Sequence, residues 1–145
     1  MRGYIVLRKM TAKFSLLRRV IREMIDSESL VFYHGTTKDA IPSIMNGGLQ
    51  ATKGWGGASN PGVFLSKSVE NARYWSKMSL LKKLGLPYDE SNFGEVAEDE
   101  ITVFEVRIPA DHSGDVIKRN ASFSLAGDMQ FVGSVPTEWL SLIVS

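Results

Sequence analysis

The chain of 145 residues is sized for one domain, with an apolar fraction of 43% and a charged fraction of 23% that suit a protein with an ordinary buried core. No apolar run approaches the roughly 20 residues of a membrane helix, and Tyr4-Ile5-Val6-Leu7 is shorter than a secretory core, so no membrane span and no secretion by that route are expected. The absence of cysteine excludes disulfides, thiolate metal sites and a cysteine nucleophile, and a net charge of +1 gives little overall pull on nucleic acid. Cytoplasm is the default location.

Charge is unevenly spread: seven of the 17 basic residues precede Glu23, the first acid. Phe14, Leu17, Val20, Ile21 and Met24 recur at helical spacing with Arg18, Arg19 and Arg22 between them, which predicts a basic amphipathic helix within residues 1–28. Such a helix packs on its own domain with solvated arginines, or docks a partner or nucleic acid through residues 12–25. Residues 29–145 then form the domain proper.

Leu30 to Tyr33 is expected as a strand. Asp39 is placed to cap a short helix over Ala40 to Asn46, where Pro42 falls in the first turn and its missing N–H has no intrahelical partner. Gly47-Gly48 ends that helix. Lys53 to Pro61 is a glycine-rich loop without the Gly-Lys-Ser/Thr ending of a nucleotide-hydrolase phosphate loop. Gly62 to Ser66 reads as a second strand, and Ser68 as the cap of a helix carrying Val69, Ala72, Trp75, Met78 and Leu81, closed by Gly85 and Pro87. After an acidic loop, the β-branched run Ile101 to Ile108 before Pro109 predicts a strand. Asp111 to Gly127 gives no clear pattern, and Met129 to Val132 and Trp139 to Val144 read as the last strands. This order fits α+β better than alternating α/β.

Two stretches stand out as a candidate site, Phe32-Tyr33-His34-Gly35-Thr36-Thr37 and Gly62-Val63-Phe64-Leu65-Ser66. The first is expected to bring a histidine and a glycine to a helix start, where backbone donors and a positive dipole meet a ligand. With Tyr74 and Trp75 facing the same cleft, the pair suggests a pocket for a flat, phosphorylated ligand. Taken singly, each residue also has a plain explanation. His34 fits a helix cap or a half-buried histidine, the aromatics fit a core, and Asp128 after Gly127 fits a turn. No metal constellation is present, because two distant histidines without paired acids make a poor ligand set. A Ser-His-Asp hydrolase lacks its Gly-x-Ser-x-Gly turn.

His34-Gly35-Thr36, Ala40-Ile41 with Ile44, Gly48-Leu49, Gly62-Val63-Phe64-Leu65-Ser66 and Glu70 with Ala72 together resemble the ADP-ribosyltransferase superfamily. The resemblance is to its diphtheria-toxin-like and poly(ADP-ribose)-polymerase-like branch, marked by a His-Tyr-Glu triad, and to the related RNA 2'-phosphotransferases. It covers roughly residues 30–76 well and the last twenty loosely. It implies a split β-sandwich with flanking helices that grips NAD as a substrate. On that likeness His34 would bond the adenosine-side ribose, and Gly35 would hold the nicotinamide carboxamide through its backbone. Thr36 and Ser66 would belong to the NAD-binding set, Phe64 would take the family's tyrosine position, and Tyr74 the second aromatic that sandwiches the ring. Counting back from Val135-Pro136, which resembles the family's closing turn, the catalytic-glutamate position falls on or near Asp128, with Gln130 second. Breaking the nicotinamide–ribose bond builds positive charge on the sugar, which a carboxylate stabilises. Aspartate is one methylene shorter than glutamate, about 1.5 Å.

The resemblance implies an NAD-dependent mono-ADP-ribosyltransferase acting on a protein or nucleic-acid acceptor, in a toxin, a viral effector or a modification enzyme alike. An RNA 2'-phosphotransferase is the enzymatic alternative, although only Arg73 lies near the motif to meet a phosphate. A catalytically degenerate NAD-fold module that binds a ligand or partner is the non-enzymatic one.

Overall fold

The computed structural model describes residues 29–52, 61–118 and 128–143. The segments expected as an N-terminal amphipathic helix and most of the glycine-rich stretch lie outside them. Six strands and two α-helices are found among the described residues: β1 (Leu30–Thr37), α1 (Ile41–Gly47), β2 (Val63–Leu65), α2 (Val69–Leu84), β3 (Ile101–Ile108), β4 (Val116–Lys118), β5 (Met129–Phe131) and β6 (Leu140–Ile143). The strands make two antiparallel three-stranded sheets, β1-β3-β6 and β2-β5-β4, so the protein is α+β. None of the described helices is long and apolar enough to cross a membrane.

β3 is the middle strand of the first sheet, and it is covered on both faces. This is why Ile101, Thr102, Val103, Phe104, Val106 and Ile108 are all buried and why the segment lacks the alternation of a half-exposed strand. Phe104, Val106 and Ile108 join Phe32, Val63, Leu65 and Phe131 in one apolar cluster that ties the two sheets together. Ile101 points to the other side, into a second cluster with Met78, Leu80 and Leu81 of α2. Each such fully buried side chain contributes about 2 kcal/mol over its exposed state.

Local signals set the ends of α2. The Ser68 side chain accepts from the Asn71 N–H at 3.1 Å, and Gly85, left-handed at φ 73°, closes the C-terminus. Glu70 in the first turn and Lys82 and Lys83 in the last oppose the helix dipole. Gly48, at φ 77°, ends α1 as predicted, and its N–H bonds the Ile44 carbonyl at 2.8 Å. A side chain there would also meet the Val135 carbonyl oxygen at 2.2 Å, because Leu49 and Val135 exchange backbone bonds of 2.9 and 2.8 Å.

The structure departs from the local reading at several points. β1 does not stop at Tyr33 but runs to Thr37, because β3 offers an eight-residue partner from Leu30↔Ile108 to Thr37↔Ile101. His34, Gly35 and Thr36 therefore lie inside a strand, not at a helix start. Asp39 is not a helix cap: the chain passes first through a 3-10 turn at Lys38–Ala40. The Asp39 carboxylate instead takes the Thr37 hydroxyl and pairs with Lys83. β5 ends at Phe131, and the last strand begins at Leu140, since Pro136 leads into a 3-10 turn at Thr137–Trp139. The acidic loop holds 3-10 turns at Glu90–Glu95 and Glu98–Glu100. Within the unassigned stretch, residues Ala110–Asp115 form another, followed by β4.

Candidate functional site

The two sheets meet at one point before they part. Tyr33 and Ser66 exchange backbone hydrogen bonds, each 2.8 Å, and this isolated bridge is where β1 touches the end of β2. Residues in an antiparallel ladder turn their N–H and C=O alternately to one neighbour and the other. Tyr33 directs both toward β2, so Gly35, two residues on, also directs both away from β3 and toward the gap. Neither group of Gly35 has a hydrogen-bond partner among the described residues. At the other end of β2, Thr52 and Gly62 pair with each other through backbone bonds of 3.0 and 2.8 Å.

His34 spans the gap with its side chain. Its Nδ1–H donates to the Phe64 carbonyl at 2.8 Å, which fixes the tautomer and leaves Nε2 as the acceptor. Burial pushes the imidazole pKa below its ordinary 6.5, and the Phe64 carbonyl only partly opposes that. The folded protein thus resists protonation at a group that titrates normally in the unfolded chain. Its contribution to stability is full above pH 6.5 and falls as acid protonates the unfolded chain first. Urea denaturation between pH 7.5 and 5 should show a steeper loss in wild type than in His34→Gln; parallel curves would contradict the burial.

The gap opens into a cleft of about 250 Å³. β1 supplies His34, Gly35 and Thr36, and β2 with its flank supplies Phe64 and Ser66. The Ser66 hydroxyl is buried and makes no hydrogen bond with a described residue. α2 adds Trp75 and Ser79, one helical turn apart, and Leu49, Gln50 and Thr52 close another side. Asp128, just before β5, is the acid in the wall; it is only 4% exposed. The Trp75 indole N–H lies 3.3 and 3.1 Å from its two carboxylate oxygens.

Two predicted site residues lie elsewhere. Tyr74 is not in the cleft wall, because consecutive helical residues point about 100° apart and Trp75 takes the inward direction. Tyr74 packs edge-on against Trp75 and Phe93, with ring centres 5.1 and 5.4 Å away. Burial raises its phenol pKa, as do the charge and hydrogen bond of Glu90 and the charges of Asp128 and Asp89. Gln130 is buried but does not line the cleft; opposite Phe64 in the β2–β5 register, it packs against Gly62. Sequence reasoning missed Leu49, Gln50, Thr52 and Ser79 as wall residues, and only the spacing of Ser79 from Trp75 signalled any of them. Arg73 pairs with Glu98 and lies outside the cleft wall.

Fold and site together define an α+β domain whose ligand-sized cleft lies where two antiparallel sheets diverge, with one histidine and one carboxylate in its described wall. No protein-family model matches the sequence, and no curated protein does. Among the described residues, no group of three histidines or acids is placed to hold a metal.

Proposed function

We propose that the protein is an NAD-dependent mono-ADP-ribosyltransferase with an ADP-ribosyltransferase-like split β-sandwich, and that NAD is its substrate. One observation carries the reading: His34, Gly35, Thr36, Phe64, Ser66 and Asp128, from three separate segments of the chain, line one cleft. A primary carboxamide needs one donor and one acceptor side by side, and the Gly35 backbone offers that pair. Phe64 and Trp75 supply flat apolar faces for a nicotinamide ring. His34 Nε2 accepts from a ribose hydroxyl. As the C–N bond breaks, nicotinamide leaves with the bonding pair, and the Asp128 carboxylate stabilises the cationic sugar until an acceptor nucleophile bonds to it. The acceptor is a protein or a nucleic acid.

Labelled NAD incubated with the purified protein, with and without cell lysate, tests this. Nicotinamide release or label transfer is expected in wild type and not in His34→Ala. Saturating NAD should also raise the melting temperature. If it produces neither heat of binding nor such a shift, the reading fails at its first step. Binding without turnover would leave the non-enzymatic module, in which the shorter Asp128 side chain holds the ligand but does not drive the chemistry.

A further inference from the structure

We infer that Trp75 is a positioning residue for Asp128, using its ring edge to orient the carboxylate while its face lines the ligand cleft; the catalytic part of this inference rests on the function proposed above. Both residues lie in the wall of the same cleft, and they come from α2 and from just before β5, 53 positions apart. The indole nitrogen is close to both carboxylate oxygens, at 3.3 and 3.1 Å, so its single proton is shared between them. A short acid on a chain segment outside the ladder has two side-chain torsions to restrain, and a shared donor restrains both. Trp75 is itself held: Tyr74 meets it edge-on, and Tyr74 in turn meets Phe93. The carboxylate thus meets one end of a row of three rings that are packed against one another. A ligand ring lying on the indole face would share one rigid side chain with the acid that acts on it, which couples ring binding to the orientation of the charge.

The pair can be tested without any ligand. The indole N–H resonance of Trp75, assigned among the three tryptophans by Trp75→Phe, should move, and its exchange with solvent should quicken, in Asp128→Ala, which removes the acceptor. An indole resonance that Asp128→Ala leaves unmoved overturns the inference whatever the protein does with NAD. The catalytic arm uses Trp75→Phe, which keeps a flat ring and removes the donor. Its nicotinamide release should fall about tenfold in kcat, with NAD affinity changed by less than about threefold. Trp75→Phe/Asp128→Asn should be no slower than Asp128→Asn alone, because Trp75 acts through the acid. Losses that add would assign Trp75 a merely structural role and overturn the inference. An indole resonance that responds to Asp128→Ala in a protein that does not turn over NAD would support the pair and remove the function proposed for it.

Discussion

Gly35→Ala is expected to lose about 3 kcal/mol of stability or to fail to fold, the upper range for overpacking a closed interior. The cause is a close approach, not a special backbone angle. A Cβ at residue 35 would sit 1.8 Å from the Ala72 carbonyl oxygen and 2.3 Å from the Ser76 hydroxyl, both on α2. The Ser76 hydroxyl lies 3.0 Å from the Ala72 carbonyl and 2.9 Å from the Thr102 carbonyl, and so ties the helix to the sheet at that spot. A methyl group would force α2 off β1 and leave buried carbonyls short of a donor. Gly94→Ala is the control, since its added Cβ meets nothing within 4 Å; it should stay within about 0.5 kcal/mol of wild type. Urea denaturation of the two variants decides the matter. A Gly35→Ala protein as stable as the control would mean that α2 does not lie on β1 so closely.

Asp128→Asn should lower NAD turnover by about 10² to 10³, with NAD affinity nearly unchanged, if the carboxylate acts on the developing sugar cation. The amide has the same shape, and its oxygen still accepts from the Trp75 indole, so the variant should fold. Gln130→Leu provides the contrast: that residue packs against Gly62 outside the cleft wall, so the change should affect stability more than kcat. Steady-state nicotinamide release by the two variants separates the two candidates. Wild-type turnover in Asp128→Asn would remove Asp128 from the mechanism, and a collapse of kcat at Gln130 alone would transfer the role to that position.

Much of this fold was legible residue by residue. Ser68 and Gly85 mark the ends of α2, Gly48 ends α1, and the β-branched run before Pro109 is β3, because caps and strand preference act over a few neighbouring residues. β4, three residues long, has too little pattern to stand out, and its existence depends on β5 as a partner. The segments that form the cleft were also legible, through the order of their motifs. Their arrangement was not. A histidine beside a glycine reads locally as a turn, yet β3 draws both into a strand, and the glycine admits a helix that arrives some forty residues later in the chain.

The sequence by itself therefore determined the α+β class, both ends of α2 and the C-terminal end of α1, and the residues from which a site can be drawn. Tertiary structure decided that His34 reaches the Phe64 carbonyl, that Trp75 and not Tyr74 faces the cleft, and that Asp128 and not Gln130 stands in its wall. Those outcomes depend on partners 30 and 53 residues apart. Caps and propensities act over single turns, whereas the direction of a side chain in a packed interior is set by whichever distant element closes against it.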